Sequence, residues 1–418
     1  MQFEIPYGNQ SFSLSVDESS VHLVVSKSKN PEPRVSWEES VAEAIAQPIG
    51  AKPIAAQELR GKKVVIITDD WGRPTPAYRV IPMILEELSH TGVADGDITF
   101  VTASGMHDPM SREDLGRKLG QEVVAKYRCI SHDGGDWNML TFIGVSPMGT
   151  PVWVNRYVAE ADYRIGLGRV YLHVTHGYEG GYKLILPGVS GFDSILRDHS
   201  FNFSEDSIPG VHENPSRAEA DNIGRMVGLD FLINVVVNEK GDPFKAFAGA
   251  VEPVHQRAIE YGDREVWGAE VGTLADITIA SHGSGAFPAS GFDSETLRCA
   301  CLVTKPNGVV IMPTVQPVPP LPDWRGGEMA DDAMLDGLPR KEFGPKLYPL
   351  AFSELMRLHE RRAWPLSRRE IQWRVKAIRG EFYRRRWLRA ASQRRVLFAQ
   401  KPQRVLDEAL AESNQRPN

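Results

Sequence analysis

Residues 62–76 read KKVVIITDDWGRPTP, and this stretch decides the fold. Its first half is apolar at successive positions, which is typical of a buried strand in a parallel sheet. Its second half is a polar loop, and the apolar spacing of residues 77–87 predicts a helix directly after it. A strand, a polar loop and a helix N-terminus in this order indicate an α/β fold with an anion-binding site at the loop.

Two further predicted strands end in loops that carry histidine. Residues 97–103 form one, and its exit loop contains His107. Residues 163–169 form the other and lead to His173. Because parallel strands of one sheet end at the same edge, we expect the three exit loops to form a single crevice.

A chain of 418 residues is too long for one ordinary core, so we expect two α/β domains. Residues 1–268 are predicted to form an N-terminal α/β domain that contains this crevice. Residues 269–418 restart the pattern, with strands at 275–280 and 308–313, and are predicted to end in a basic helical tail. Both sheets are expected to be rich in parallel pairs, with a functional site in the cleft between the domains.

The composition is that of a soluble globular protein, with 42% hydrophobic and 24% charged residues. The net charge of −6 gives no reason to expect nucleic acid or membrane as a partner, and no apolar run is long enough to span a bilayer. The N-terminus lacks a signal peptide and the three cysteines do not form a disulfide framework, so we expect a cytoplasmic protein. Residues 357–404 are rich in Lys and Arg; we interpret them as an amphipathic helical pair, with a nucleic-acid patch as the alternative.

Residues 173–191, HVTHGYEGGYKLILPGVSG, are followed by His199 and combine three histidines with one lysine. Glycine lets the backbone approach a ligand closely, so a lysine in this setting suggests a bound prosthetic group. By residue type alone, His173, His176 and His199 are also compatible with the zinc site of a hydrolase. That signal is weak because the H-E-x-x-H motif is missing, as are the glycine fingerprints of dinucleotide-binding and P-loop proteins.

Several motifs stand in the order and spacing of the lactate racemase family, which this chain resembles from residue 1 to about 300. They are DWGRPTP at 70–76, GMHDPM at 105–110, GYEGGYK at 177–183, LPGV at 186–189, His199, ENP at 213–215 and LDFLINV at 229–235. The resemblance implies a racemase or epimerase that inverts C2 of a 2-hydroxy acid by hydride transfer. It also implies that residues 1–268 bind the cofactor and carry the catalytic residues, and that residues 269–418 close the substrate site.

The resemblance also implies a nickel-pincer nucleotide, pyridinium-3-thioamide-5-thiocarboxylic acid mononucleotide. Lys183 matches the lysine that carries this cofactor through a thioamide, and His199 matches the histidine that completes the nickel coordination. Nickel(II) accepts square-planar geometry with sulfur and imidazole donors. Thr75 and the glycines Gly180 and Gly181 are expected to contact the cofactor, Thr75 at its phosphate.

His107 and His173 match the two bases of the family, which take the hydroxyl proton of the substrate. An imidazole titrates at about 6.5 when unperturbed, so it can act as base and then as acid at working pH. Arg73 is expected to bind anionic oxygen of the substrate carboxylate or of the cofactor phosphate. Asp70, also placed at the cofactor, is expected to orient Arg73 or a histidine.

The predicted substrate site departs from the lactate racemase pattern. Where the family carries Gln and Lys, this chain has Glu295 and Arg298. Arg298 can bind a carboxylate in a bidentate way, and Glu295 can accept hydrogen bonds from additional hydroxyl groups. We therefore expect a substrate larger than lactate, such as a sugar acid. The alternative is that the two residues form a helical i,i+3 pair and that the substrate is lactate itself. A tryptophan near the cofactor is expected at Trp364 or Trp373.

The resulting partners are a small 2-hydroxy acid and the enzymes that synthesise the cofactor and mature the protein. Nucleic acid and membrane are not expected, and a homodimer is left open.

Overall fold

The computed structural model describes residues 1–7, 10–17, 19, 29, 35–73, 75–201, 206–238, 241–268, 273–281, 294–313, 395–399 and 402–413. The strands of these parts, in chain order, are β1 (Gln2–Tyr7), β2 (Gln10–Ser15), β3 (Val64–Asp69), β4 (Ile98–Ala103), β5 (Arg128–Ser131), β6 (Leu140–Val145), β7 (Pro151–Asn155), β8 (Tyr163–Val170), β9 (Leu172–His173), β10 (Gly177–Tyr178), β11 (Phe231–Val237), β12 (Pro243–Gly249), β13 (Ala275–Ile279), β14 (Thr304–Pro313) and β15 (Arg395–Ala399).

The α-helices of the same parts are α1 (Trp37–Ala46), α2 (Ala77–Ser89), α3 (Arg112–Leu119), α4 (Gln121–Lys126), α5 (Arg156–Ala159), α6 (Phe192–Phe201), α7 (Pro215–Val227), α8 (Val251–Tyr261), α9 (Ser294–Val303) and α10 (Pro402–Ser413). Short 3₁₀ turns lie at Ile54–Ala56, Asp95–Asp97, Trp137–Met139 and Gly181–Leu184, and a π-helical turn lies at Gly262–Val266.

Six strands form the main sheet, in the order β12-β11-β8-β3-β4-β5. All neighbouring pairs are parallel except β11 and β12, which form an antiparallel hairpin. The chain runs from β3 to β4 and β5 on one side, and then returns through β8 to β11 on the other. The strand order therefore reverses at β3, and in open α/β sheets ligands bind at the carboxyl end of such a reversal. The α/β fold class is confirmed.

Strand β3 lies in the centre of this sheet because its residues are apolar on both faces. All six of its residues are buried. Helix α2 covers one face with buried residues at the helical spacing, namely Ala77, Val80, Ile81, Ile84 and Leu88. Thr68 of β3 pairs with Thr102 of β4 and with Leu167 of β8, so the three strands end at the same level.

Two short helices, α3 and α4, follow the loop that carries His107. Ser111 and Asp114 form a capping box at the start of α3. Gly120 ends α3 with a φ of 102°, a conformation that favours glycine and interrupts the helical hydrogen bonds. The apolar pattern continues through Gly120, which is why the sequence predicts one helix.

Internal contacts divide the chain into two compact units. The site unit comprises the described residues of Ser28–Gly268 and contains the main sheet. The composite unit comprises the described residues of Met1–Lys27 and those after Gly268. The predicted first domain began at residue 1, whereas the N-terminal hairpin of β1 and β2 groups with the C-terminal part of the chain.

The composite unit has its own sheet and core. Strands β13, β14 and β15 form a parallel sheet. Its core joins distant parts of the chain, with Val16, Val309, Ile311, Leu406 and Ala409 packed together. Within the basic run, residues 395–399 form a strand and not a helix; residues 357–394, with Trp364 and Trp373, lie outside the described residues. No helix in the described part of the chain is long and apolar enough to cross a membrane.

Candidate active site

The exit loops of β3, β4 and β8 meet at the carboxyl edge of the main sheet, as expected. Asp70, after β3, contacts His107, after β4, at 2.5 Å. Arg73, after β3, forms an ion pair with Glu179, which follows β8 and β10. These two contacts and the topology of the sheet define one candidate site inside the site unit.

A buried ion pair fixes the loop after β3. Nζ of Lys118, on α3, lies 2.7 Å from Oδ1 of Asp69 and also donates to the carbonyl oxygens of Arg73 and Thr75. Thr75 donates its hydroxyl hydrogen to Oδ2 of Asp69 at 2.5 Å, and its side chain is buried. The Thr75 hydroxyl, expected at the cofactor phosphate, therefore stabilises the loop through Asp69. Lys118, which belongs to none of the motifs, stabilises the same loop from α3.

His107 is held by Asp70. The carboxylate of Asp70 is 2% exposed, whereas the imidazole of His107 is 51% exposed. A carboxylate accepts hydrogen bonds, so Nδ1 of His107 carries the hydrogen and its Nε2 has the lone pair. The sequence placed Asp70 beside Arg73 or a histidine, and the structure selects the histidine.

Glu179 is the site residue that sequence reasoning missed inside a quoted motif. Nε of Arg73 lies 2.8 Å from Oε1 of Glu179, and Arg169 donates to Oε2. Burial alone would raise the pKa of Glu179, but the two guanidinium groups hold that pKa below its usual value. Glu179 therefore stays charged and orients Arg73. The only indication in the sequence was an acidic residue placed between Gly177 and Gly180.

The glycines before Lys183 are explained by backbone conformation and packing. Gly180 and Gly181 have φ values of 83° and 61°. A Cβ at Gly180 would meet Val170 at 2.7 Å, and one at Gly181 would meet the ring of His255 at 3.0 Å. The predicted cofactor contact is therefore not needed to account for glycine at these positions.

Arg217, on α7, holds the turn before Lys183 through hydrogen bonds to its backbone. Its side chain is 1% exposed, and it donates to the carbonyl oxygens of Tyr178 and Gly180. Asn214 caps the start of this helix by accepting from the backbone N–H of Arg217. No local pattern distinguished Arg217 from an ordinary surface arginine, because its partners are backbone atoms of another element.

Lys183 lies in the 3₁₀ turn at Gly181–Leu184. Burial lowers the pKa of its amine well below the usual value. Glu179 opposes this shift, and the positive charges of Arg217 and Arg73 add to it. The amine is therefore held toward its neutral, nucleophilic form.

His173 is held by backbone N–H groups. Its Nδ1 accepts from the N–H of Thr175 at 3.3 Å and from the N–H of His176 at 3.1 Å. Burial lowers the pKa of His173 well below its usual value, and nearby cations act in the same direction. The ring is thus neutral, with its hydrogen on Nε2.

His199 presents its other ring nitrogen. Its Nδ1 donates to the carbonyl oxygen of Ile195, one turn earlier in α6, at 2.6 Å. Nε2 therefore has the lone pair that a metal ion requires. Next to it, Asp198 is fully buried, and one of its oxygens lies 3.2 Å from Nε2 of His176 without hydrogen-bond alignment.

Comparisons with known proteins show which enzymes this chain is similar to. The lactate racemase N-terminal domain family matches residues 7–209. The chain is 28% identical over 318 residues to the lactate racemase of Thermoanaerobacterium thermosaccharolyticum, which covers 74% of this chain and 73% of that protein. It is also 28% identical over 348 residues to the lactate racemase of Lactiplantibacillus plantarum, covering 81% and 80%. These matches support the lactate racemase family, whose enzymes are isomerases.

Solved structures support the same relationship. The lactate racemase apoprotein from Thermoanaerobacterium thermosaccharolyticum superposes with a TM-score of 0.67 at 27% identity, over 75% of this chain and 74% of that one. A crystal structure of a Thermotoga maritima protein, 17% identical, shares the fold with a TM-score of 0.50 over 66% and 69%.

The histidines of this lactate racemase-like chain are not arranged as zinc ligands. In the described ranges, no group of three His, Cys, Asp or Glu side chains could hold a metal ion. His176 faces Asp198, while His173 is turned toward backbone N–H groups. The zinc-hydrolase alternative therefore lacks its ligand set.

The nickel-pincer nucleotide implied by the family resemblance would need fewer protein groups than a zinc site. It would need one amine for the covalent bond and one imidazole for the metal. Lys183 supplies an amine whose pKa is lowered, and His199 supplies an imidazole with its lone pair on Nε2. The donor set fits the group.

The two predicted substrate residues belong to the composite unit. Glu295 and Arg298 lie on α9, but their side chains are outside the described part of the structure.

Proposed function

We infer that this protein is a racemase or epimerase that inverts C2 of a 2-hydroxy acid, with a nickel-pincer nucleotide bound covalently to Lys183. The observation that carries the proposal is the pairing of two features in one site. Lys183 has an amine held toward its neutral form, and His199 has its Nε2 lone pair fixed by the hydrogen bond to Ile195. A neutral amine is the form that makes an amide-type bond, and an imidazole with a fixed tautomer is a suitable metal ligand.

When bound, the cofactor supplies the acceptor for the C2 hydrogen as hydride. The protein handles the proton and the position of the substrate. His107, held by Asp70, takes the hydroxyl proton at Nε2, and the buried carboxylate stabilises the imidazolium that forms. Arg73, oriented by Glu179, binds the anionic oxygen of substrate or cofactor.

We extend the proposal to a substrate larger than lactate, such as a sugar acid, with lactate as the alternative. Its support is the pair Glu295 and Arg298, which can bind hydroxyl groups and a carboxylate, respectively. The proposal places the substrate site in the cleft between the two domains, and the protein in the cytoplasm. It includes maturation by cofactor-synthesising enzymes and leaves a homodimer open.

The first test is the covalent adduct. The full chain is co-expressed with cofactor-synthesising enzymes, and the peptide containing Lys183 is analysed by mass spectrometry together with nickel content. We expect a mass addition on Lys183 in the wild type and none in Lys183→Met, which has a similar length but no amine. A wild-type chain with neither adduct nor nickel contradicts the proposal.

The second test identifies the substrate and the hydride route. The matured protein is incubated in D₂O with D- and L-lactate and with a series of longer 2-hydroxy acids, and configuration is read by chiral separation. Internal hydride return predicts inversion with little deuterium at C2, whereas extensive deuterium at C2 contradicts it.

A further inference from the structure

The hydroxyl group of Thr175 lies between two imidazole rings in the segment that joins β9 to β10. Its Oγ1 is 3.4 Å from Nδ1 of His173 and 3.1 Å from Nδ1 of His176. Thr175 and His176 are both buried. These contacts therefore compete little with bulk water, and each is stronger than it would be at the surface.

Three groups reach Nδ1 of His173 within the described residues. Two are the backbone N–H groups of Thr175 and His176, at 3.3 and 3.1 Å, and they only donate. The third is the Thr175 hydroxyl, which donates or accepts because its hydrogen rotates about the C–O bond. The hydroxyl is thus the one group of these three that can accept a hydrogen carried by Nδ1.

A histidine that takes a proton at Nε2 must carry its ring hydrogen on Nδ1. The two backbone N–H groups favour the other tautomer, with the hydrogen on Nε2, and this is the form of the ring at rest. In the base form, the Nδ1–H group of His173 needs an acceptor, and Oγ1 of Thr175 lies where one is required. The same acceptor serves the imidazolium, which carries a hydrogen on both nitrogens.

We propose that the Thr175 hydroxyl is a positioning group for His173, which accepts the Nδ1 hydrogen when Nε2 takes the hydroxyl proton of the substrate. The inference rests on the proposed function, because it concerns His173 as one of the two expected bases. Thr175 acts through His173 and is a positioning residue.

His176 holds the hydroxyl group from the other side. An oxygen of Asp198 lies 3.2 Å from Nε2 of His176, which favours a hydrogen on Nε2 and a lone pair on Nδ1. The Thr175 hydroxyl can then donate to Nδ1 of His176 while its oxygen accepts from Nδ1 of His173. The sequence gave His176 no role beyond the zinc alternative, and this contact supplies one.

The electrostatic surroundings increase the need for an acceptor at Nδ1. Burial lowers the pKa of His173 well below its usual value. Four cationic or titratable side chains from other elements add to this shift, namely Lys183, Arg73, Arg217 and His199. A protonated His173 is therefore costly in this site, and a hydrogen bond from its Nδ1–H group offsets part of that cost.

The protons balance without transfer through Thr175. As the substrate O–H bond breaks, its proton binds Nε2 of His173, while the C2 hydrogen leaves as the hydride of the proposed function. The Nδ1–H bond stays intact and points at Oγ1 of Thr175. In the reverse step the Nε2–H bond breaks and the O–H bond of the alcohol forms again.

The contact can be measured without activity. The full-length chain lacking cofactor is labelled with ¹⁵N-histidine and compared as wild type, Thr175→Val and Thr175→Ser, with assignment by His173→Gln. Valine keeps the shape of threonine and removes the hydroxyl, whereas serine keeps the hydroxyl. We expect the ¹⁵N shift of Nδ1 of His173 at neutral pH to change in the valine variant and to stay near wild type in the serine variant. An unchanged shift in the valine variant overturns the contact, as does an equal change in both variants.

The matured enzyme separates positioning from packing. Loss of a hydrogen bond to a charged group predicts a kcat about 10- to 100-fold lower in Thr175→Val, with KM unchanged and Thr175→Ser within about threefold of wild type. One limb of the pH profile of kcat/KM should also move to lower pH in the valine variant, because the imidazolium of His173 loses an acceptor and its pKa falls. A lower rate with both limbs in place would show a structural effect only and overturns the proposal.

Folding and maturation are checked separately, by urea unfolding and by the adduct mass on Lys183. Thr175→Ala provides the same comparison if the valine variant does not fold. A wild-type chain without adduct or turnover removes the proposed function and leaves the ¹⁵N measurement valid. An active wild type whose Thr175→Val variant matches it in rate and pH profile removes only this inference.

Discussion

His132 illustrates how a single buried residue can make this fold sensitive to acid. It is fully buried between β5 and the segment after Lys183. Its Nε2 donates to the carbonyl oxygen of Ser190 at 2.9 Å, and its Nδ1 accepts from Asn155 at 3.2 Å. Burial lowers the pKa of His132 to about 4, from 6.5, so the folded chain keeps this ring neutral.

We expect His132 to contribute to a loss of stability between pH 6.5 and 4. Below pH 6.5 the unfolded chain binds a proton that the folded chain rejects, so the free energy of unfolding falls as pH falls, and the loss ends near pH 4. The full effect is about 3 kcal/mol. His132→Gln keeps an N–H donor for Ser190 and does not titrate.

Urea unfolding of wild type and His132→Gln across this pH range provides the measurement. The wild type should lose stability more steeply than the variant below pH 6.5, and the two slopes should agree above pH 7. Parallel curves over the whole range would show that His132 is not the titrating group.

Residues of the site differ in how far the sequence could predict them. His107, Lys183 and His199 belong to sequence motifs, so they could be predicted. Asp70 was expected to orient either Arg73 or a histidine, and in the structure it contacts His107. Glu179 and Arg217 were missed because their partners lie far away in sequence or are backbone atoms. Tautomers were beyond prediction, since they depend on hydrogen bonds that only the folded loops create.

At the level of elements, the clamp between β3 and α3 sets the position of the site loop. Lys118 and Asp69 are both largely buried, and the amine also holds two carbonyl oxygens of the loop. A buried ion pair adds little net stability over apolar groups, but breaking it leaves an uncompensated charge. The clamp therefore matters most for where Asp70 and Arg73 lie.

Lys118→Met should lower the free energy of unfolding by about 3–5 kcal/mol, because Asp69 keeps its burial and loses its partner. Lys126→Met is the matched control from the adjacent helix. Lys126 pairs with Asp95 at 2.8 Å with both side chains exposed, and solvent screening makes the contribution of such a pair to stability small. Urea unfolding at pH 7 measures both. If the two substitutions lower the free energy of unfolding equally, the buried ion pair of Lys118 and Asp69 contributes no more to stability than an exposed one.

The elements themselves were largely predictable, since apolar runs and helical spacing specify β3, α2 and β4 locally. The break at Gly120 was not, because glycine is tolerated inside a helix and only the positive φ identifies an end. Pairing order was predictable only in part. The sequence indicated that the loops after β3, β4 and β8 lie close together. It did not indicate that the strand order reverses at β3, because that depends on how all six strands pair.

At the scale of the whole molecule, the composite unit depends on both ends of the described chain. Gln403, on α10, exchanges hydrogen bonds with the backbone of Ser15, on β2. Leu406 is 4% exposed in the core that includes Val16 and Ile311. The predicted first domain included residues 1–27, which group with the C-terminal part of the chain. Nothing in the order of the sequence indicates that Val16 packs with Leu406.

Leu406→Ala should destabilise the composite unit by about 2–5 kcal/mol through the cavity it leaves. Hydrogen exchange read by mass spectrometry should rise in β2, β14 and α10 and stay unchanged in β3, β4 and β8, because the two units have separate cores. Val405→Ala, one position earlier and only partly buried, is the control and should have a smaller effect. A uniform rise in exchange across both units would contradict the division.

This closure has a consequence for biosynthesis. A ribosome has delivered every strand of the main sheet once residue 249 has emerged, so Lys183 can be enclosed while translation continues. The hairpin of β1 and β2, made before the main sheet, must instead wait for the helix at 402–413, which is made after it. This hairpin therefore finds its partner later than the strands that follow it find theirs.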